Sequence, residues 1–170
     1  CVPGIRALLS LGQRTPSHVV ASDLGFAVAP RLNAAGRLDD MSLGIRCLIE
    51  DDEATVAAIA AQLDSLNRER RGIEAQMQAQ AMAAVRGLAG RIAESGRHAG
   101  VCLFDPGWHQ GLVGLVAGRV KDRLSRPVVA FAPADDGTTL RGSARSIAGV
   151  HIRDVFEAIA TRQPGLVERF

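Results

Sequence analysis

The spacing of apolar residues predicts an α/β chain with one long helix in its middle. Apolar side chains that recur at intervals of three, four or their sums indicate a helix over about residues 52–94. They are Val56, Ile59, Leu63, Leu66, Ile73, Met77, Val85, Leu88 and Ile92. At ~1.5 Å per residue this helix would be roughly 60 Å long, more than a compact domain needs. We therefore expect it to join two lobes, with a coiled coil as the alternative.

Residues 1–50 contain shorter patterns. A helical spacing surrounds Ile5 and Leu8, and Ser42 is placed to cap a short helix through Leu48. The segment Pro30–Met41 between them has no apolar period, so we expect irregular backbone there. Acidic pairs at residues 39–40 and 51–52 suit helix starts, where carboxylates cap exposed backbone N–H groups. These acids therefore need no metal to explain them.

From residue 100 the pattern predicts a small α/β region. Its first and second strands should be parallel because a helix connects them, and Asp136-Gly137 predicts a hairpin turn into a third. The predicted elements are, in order, strand 101–104, a helix from about 111 to 124, strand 127–131, strand 138–144 and helix 153–160.

Composition narrows the functional classes. With 47% hydrophobic residues the chain can bury a core, but no run approaches the ~18 apolar residues of a membrane span. Cys1, Cys47 and Cys102 are too few for a disulfide framework, so we expect a reduced, cytoplasmic location. Arginines outnumber lysines nineteen to one. A GC-rich genome explains this most simply, although arginine also suits bidentate contacts to phosphate.

The turn Trp108–Gly114 is the first candidate site. It follows a predicted parallel strand, at the sheet edge where open α/β sheets bind ligands. The start of the next helix offers N–H groups to an anion, and Gly111 and Gly114 permit close approach. Alternatively, the glycines only let the helix pack tightly, and His109 caps it.

Two further segments carry groups that can hold phosphate. Gly142–Ser146 has two hydroxyls and a guanidinium at the end of the third strand, although an ordinary exposed strand end gives the same pattern. Arg31, Asn33 and Arg37 lie in the predicted irregular segment, where arginines often bond loop carbonyls instead. No nucleophile–base pair stands out, and the histidines lack metal-ligand spacing. The residues alone indicate phosphate binding without an identified reaction.

Six segments are more specific together than any one of them alone. They are residues 29–39 (APRLNAAGRLD), 63–71 (LDSLNRERR), 73–74 (IE), 108–114 (WHQGLVG), 126–127 (RP) and 142–146 (GSARS). This combination resembles one family, the RecJ single-stranded-DNA-specific exonucleases of the DHH phosphoesterase superfamily, and the resemblance covers nearly the whole chain.

The resemblance implies a two-lobed α/β fragment with a long connecting helix and a small mixed-sheet domain. Residues 1–50 would be the last part of the DHH domain and residues 51–96 the connecting helix. Residues 97–170 would be most of the DHH-associated domain, truncated before its Gly-Gly-His motif. Both ends of the chain read as interior sequence, which also suggests a piece of a longer protein.

The resemblance further implies 5′→3′ hydrolysis of single-stranded DNA in repair and recombination, with Mn²⁺ or Mg²⁺. The Asp-His-His signature that binds these metals is absent, so we expect this fragment alone to be inactive. Ser143 and Arg145 would hold phosphate from one lobe. Ser146, the last residue of the same motif, is a further candidate for phosphate binding. Arg31, with Asn33 and Arg37, would face the substrate from the other, and His109 would lie in the glycine-rich turn.

The sequence also leads to expectations about the partners of the protein and to two alternative functions. We expect single-stranded DNA as partner, with other repair proteins also considered, and no membrane association. A related phosphodiesterase acting on nanoRNA or cyclic dinucleotides is the alternative enzyme. A noncatalytic coiled-coil scaffold that dimerises through the stripe of residues 56–92 is the alternative of another class, and self-association of the fragment is open.

Overall fold

The computed structural model describes residues 2–88, 90 and 100–170. It contains two compact units, Cys1–Ile73 and Glu74–Phe170. The mixed α/β organisation, with a long helix and a small mixed sheet, is confirmed. The division between the units lies inside the long helix, and the domain boundaries at residues 50 and 96 stay predictions. Within the described ranges, no helix combines the length and hydropathy that a membrane crossing requires.

The first unit is built from helices around a small apolar core. In chain order these are α1 (Pro3–Leu11), a 3₁₀ turn (Pro16–His18), α2 (Ala21–Asp23), a π-helical segment (Leu24–Val28), α3 (Ala29–Leu38), α4 (Ser42–Ile49) and the first part of α5 (Glu53–Gly87). The core residues, each at most 5% exposed, are Leu8, Leu9, Val28, Ala35, Cys47, Ile59, Ala60 and Leu63. The core thus joins α1, α3 and α4 to α5.

The irregular backbone expected over Pro30–Met41 is wrong, because α3 spans Ala29–Leu38. Pro30 lies in the first turn of α3, where a helix tolerates a residue without an N–H. The buried residues of α3 are Ala34 and Ala35, whose small side chains allow close packing but leave no stripe of large apolar residues. The spacing of large apolar residues therefore could not predict this helix.

One acid of each pair, Asp40 and Asp52, serves a helix start, as its position suggested. Ser42 is the first residue of α4 rather than its cap, and both its N–H (3.0 Å) and its hydroxyl bond to the Asp40 carboxylate. At α5, the Thr55 N–H donates to Asp52 Oδ2 at 2.8 Å. Hydrogen bonds from Ser42 and Thr55 respectively lower the pKa of Asp40 and of Asp52. These carboxylates are thereby explained without a ligand.

The long predicted helix is observed as α5 over Glu53–Gly87, and residue 90 is also helical. Its predicted last turns, with Ile92 and the stop at residues 95–96, lie outside the described residues. Val56 and Leu63 are buried in the first unit, and Met77 and Val85 in the second. Much of the apolar stripe is therefore covered by the chain itself, which argues against a coiled-coil scaffold.

The second unit contains a three-stranded sheet and two further helices. Its elements are β1 (Val101–Phe104), α6 (Val113–Leu124), β2 (Val128–Pro133), β3 (Leu140–Arg145) and α7 (Ile152–Arg162). The strand order is β1-β2-β3, with β1 parallel to β2, as predicted, and β3 antiparallel to β2. The hairpin turn is also confirmed: Gly137 has a φ of +66°, and its N–H donates to the Ala134 carbonyl at 3.0 Å.

One face of the sheet is packed beneath α6. On β2, Val128 and Ala130 are completely buried, as is Val116 of α6. In the antiparallel pair, Ser143 lies opposite Ala130 and Arg145 opposite Val128. Because directly opposed residues project from the same face, Ser143 and Arg145 lie on the face that α6 packs against.

Candidate nucleic-acid interface

Ser143 and Arg145 form a hydrogen-bonded pair at the end of β3. Arg145 Nη1 donates to Ser143 Oγ at 2.9 Å and to the carbonyl oxygen of Ala144, also at 2.9 Å. The Arg145 side chain is exposed and Ser143 is half-buried. In the part of the chain that the structure describes, no carboxylate forms an ion pair with Arg145. Its positive charge therefore remains available to an anion from solution.

The two predicted motifs of the second unit meet at Gly114, in the first turn of α6. A Cβ atom placed on Gly114 would lie 2.8 Å from Arg145 Nη2 and 2.9 Å from Ser143 Oγ. Only a residue without a side chain permits this approach in the observed arrangement. The segments 108–114 and 142–146, which are distant in sequence, therefore form one surface.

The beginning of α6 adds positive potential to this surface. Among the described residues, no side chain caps the helix, whose N-cap residue is Leu112. His109 instead supports the preceding turn: its Nδ1 accepts the Gly111 N–H at 3.1 Å, and its carbonyl accepts the Leu112 N–H at 3.0 Å. When the ring is neutral, this bond leaves the proton on Nε2, which can donate to a ligand. An uncapped helix start favours a nearby anion.

Trp108 anchors the same turn to α5. Its ring is 5% exposed, and its Nε1 donates to Gln80 Oε1 at 2.9 Å. The sequence analysis did not identify Gln80, because no local pattern shows which helix residue faces a loop 28 positions later. The turn that carries His109 is thus held by a buried aromatic side chain and a specific hydrogen bond.

Ser146 differs from Ser143 in its surroundings. Its hydroxyl donates to the Val150 carbonyl at 2.5 Å, and the side chain is half-buried. This bond closes the loop that leads to α7. A phosphate contact by Ser146 stays a prediction, while its observed role is in the loop.

In the first unit, the guanidinium of Arg31 is surrounded by protein acceptors. Nε donates to Asp64 Oδ1 at 2.8 Å, Nη1 to the Ala27 carbonyl at 2.6 Å and Nη2 to the Leu11 carbonyl at 3.1 Å. The Arg31 side chain is 11% exposed, and Asp64 also pairs with Arg68 at 3.3 Å. This is the carbonyl-bonding arrangement that the sequence left as the alternative. Substrate binding by Arg31, which the resemblance implies, is left untested by these contacts, and they favour a structural role instead.

The other two predicted residues of α3 lie on a different side of the helix. Asn33 and Arg37 are four positions apart, so they share one face, whereas Arg31 and Asn33 are only two apart and do not. Asn33 is exposed and Arg37 is half-buried. Asn33 and Arg37 therefore share a face of α3 that does not include Arg31.

The described residues do not fit a divalent-metal centre. Within residues 2–88, 90 and 100–170, no three histidine, cysteine or acidic side chains lie close enough together to hold an ion. Mg²⁺ and Mn²⁺ prefer several oxygen ligands around one position. The described part of the chain thus offers hydrogen-bond donors whose chemistry suits an anion, and we assign no hydrolytic step to it.

The second unit contains a segment that matches a known domain family. Residues 96–166 match the model of the DHHA1 domain family. The complete chain is 51% identical over 173 residues to the single-stranded-DNA-specific exonuclease RecJ of Dickeya dadantii and 48% identical over 170 residues to that of Escherichia coli K12. The chain belongs to the RecJ family. It spans 29% of the length of these curated relatives.

Solved structures agree with this assignment. The crystal structure of RecJ from Thermus thermophilus in complex with Mg²⁺ matches 94% of this chain and 23% of its own, with a TM-score of 0.75 and 27% identity. A crystal structure of exonuclease RecJ bound to manganese matches 92% of this chain and 36% of its own, with a TM-score of 0.69 and 28% identity. The fold class expected from the sequence is therefore shared with RecJ structures.

Proposed function

We propose that this chain is the part of a 5′→3′ single-stranded-DNA exonuclease that binds the phosphate backbone of the DNA. The single observation that carries the proposal is the Ser143–Arg145 pair packed against Gly114. The curated relatives, which are named single-stranded-DNA-specific exonucleases, support the same function. A role in DNA repair and recombination, and a cytoplasmic location, belong to this proposal.

The pair offers a phosphate several hydrogen-bond donors and no negative charge of its own. Arg145 Nη1 is engaged with Ser143 and Ala144, whereas Nε and Nη2 have no acceptor among the described residues. Because Ser143 Oγ accepts a hydrogen bond from Arg145 Nη1, its own hydroxyl proton can be donated to the ligand. The start of α6 adds a positive dipole end. We call Ser143, Arg145 and the first turn of α6 the phosphate cradle.

Hydrolysis itself is proposed to require other segments of the longer protein. The two RecJ structures described above hold Mg²⁺ and manganese, and the described residues here offer no comparable ligand cluster. We therefore propose that the metal ligands lie outside this chain. The 170-residue chain should then release no nucleotides from single-stranded DNA in the presence of Mn²⁺, and time-dependent digestion would contradict this.

The proposal is tested in the full-length enzyme by replacing Arg145. Loss of a charge-assisted hydrogen bond to phosphate should lower kcat/KM on single-stranded DNA roughly 10- to 100-fold. Arg123→Ala is the matched control, because Arg123 is another exposed arginine in the second unit, at the far end of α6. It should change kcat/KM less than about twofold. Equal kinetics of Arg145→Ala and the unaltered enzyme would exclude Arg145 from the site.

A further inference from the structure

Gly114 is set apart from the other glycine of α6 by what surrounds it. Its missing Cβ would fall 2.8 Å from Arg145 Nη2 and 2.9 Å from Ser143 Oγ, whereas a Cβ on Gly118, one turn later, would have no described atom within 4 Å apart from its chain neighbours and the backbone of its own helix. Glycine lowers helix stability wherever it lies within a helix. At position 114, unlike position 118, the absence of a side chain leaves room for the two polar groups of the cradle.

We propose that Gly114 is a positioning residue for phosphate binding: the space beside its Cα fixes where Ser143 and Arg145 present their donors. This inference rests on the proposed function. Arg145 Nη1 is held by Ser143 Oγ and the Ala144 carbonyl, so the guanidinium is already anchored at one end. Its other end, Nη2, lies against Gly114. The observed orientation therefore depends on both β3 and α6.

A methyl group at position 114 would disturb both members of the pair. The Ser143 side chain has a single rotatable bond to its hydroxyl, so Oγ can retreat only by changing rotamer, which breaks its 2.9 Å bond to Arg145. The Arg145 guanidinium is at the end of a flexible side chain and would move instead of the backbone. The cradle would then lose its arrangement while the helix, which favours alanine over glycine, remained folded.

The experiment compares Gly114→Ala with Gly118→Ala in the full-length enzyme. We expect Gly114→Ala to weaken binding of a single-stranded oligonucleotide about tenfold or more, as expected for the loss of a charge-assisted hydrogen bond. Gly118→Ala should change the affinity less than about twofold, since its methyl group meets no described atom apart from its chain neighbours and the backbone of its own helix. Thermal melting establishes that both variants are folded. Wild-type affinity in Gly114→Ala, when Arg145→Ala itself weakens binding, overturns the proposal.

A mutant cycle separates positioning from a general structural effect. In a background that carries both Ser143→Ala and Arg145→Ala, Gly114→Ala should weaken binding by less than about twofold, because both polar groups that it displaces are already gone. A full additional loss in that background would show that the glycine acts through something else, and would overturn the proposal.

A crystal structure of the Gly114→Ala variant distinguishes failure of this inference from failure of the proposed function. A displaced guanidinium supports positioning by Gly114, even when Arg145→Ala leaves DNA binding unchanged and the proposed function fails. An Arg145–Ser143 bond still at about 2.9 Å, with the guanidinium in its original place, overturns the inference whatever the binding data show.

Discussion

Arg31 of the first unit and Arg145 of the second are both arginines in motifs that predict phosphate binding, but their environments are opposite. Arg31 is 11% exposed and donates to one carboxylate and two carbonyls. Arg145 is exposed and, among the described residues, bonds to Ser143 and the carbonyl of Ala144. The comparison teaches that the partners of an arginine, rather than its motif, determine whether its charge is available to a ligand.

The backbone around each arginine accounts for this difference. Ala27, which accepts from Arg31, belongs to the π-helical segment that precedes α3, and Leu11 is the last residue of α1. These carbonyls and the Asp64 side chain enclose the guanidinium. Arg145 instead ends a strand at the edge of the sheet, where the first turn of α6 approaches it.

The largest expected effect is on stability, at Arg31. Arg31→Ala leaves the Asp64 carboxylate partly buried, with only its longer contact to Arg68 at 3.3 Å. We therefore expect the free energy of unfolding to fall by about 3 kcal/mol. Urea denaturation measures this. Arg6→Ala, which removes an ion pair whose side chains are 50% and 78% exposed, is the control and should cost less than about 1 kcal/mol. Equal effects of the two variants would contradict a structural role for Arg31.

A smaller effect is expected at the anchor of the second unit. Trp108→Phe keeps an aromatic ring but removes the hydrogen bond to Gln80, so we expect a loss of about 1 kcal/mol in urea denaturation. Gln80→Leu should give a similar loss, and the double variant should cost little more than either single one. Fully additive losses would show that the hydrogen bond does not couple the two residues.

Arg145→Ala should hardly affect stability, which sharpens the contrast with Arg31. Its side chain is exposed, so the free energy of unfolding should change by less than about 0.5 kcal/mol. Its effect should be found in the salt dependence of DNA binding by the full-length enzyme. The slope of log K against log salt should become shallower by about 0.7, the value for one single-strand phosphate contact. A large loss of stability together with an unchanged salt slope would show that Arg145 has a structural role and makes no phosphate contact.

The smallest expected effect is the loss of stability at low pH that arises in the hairpin turn before β3. Hydrogen bonds from the N–H groups of Thr139 and Thr138 lower the pKa of Asp136 to about 2, from an ordinary 3.8. Because the folded pKa is the lower one, the stabilisation is present above pH 3.8 and is lost as the pH falls towards 2. NMR titration of the Asp136 carboxyl carbon tests this. A midpoint at the ordinary value would contradict it.

The strands and the alternation of Ser143 with Arg145 could be predicted from local sequence patterns, and the parallel pair from the helix that connects its two strands. The contact with Gly114 could not, since it depends on where α6 lies over β3. Likewise, α3 escaped prediction because its buried residues are alanines, which leave no period of large apolar side chains. The partners of Arg31 lie up to 33 positions away, and nothing local identifies Asp64 among the acidic residues.

The most direct test of the contrast between the two arginines is an NMR titration of the chain with a 5′-phosphorylated single-stranded oligonucleotide, followed at the arginine side-chain Nε–H signals. We predict saturable shifts for the Nε–H of Arg145 and for the amides of Gly114 and Ser143, with the Nε–H of Arg31 unchanged. A saturable shift of the Arg31 signal, with Arg145 and its neighbours unmoved, would contradict the account.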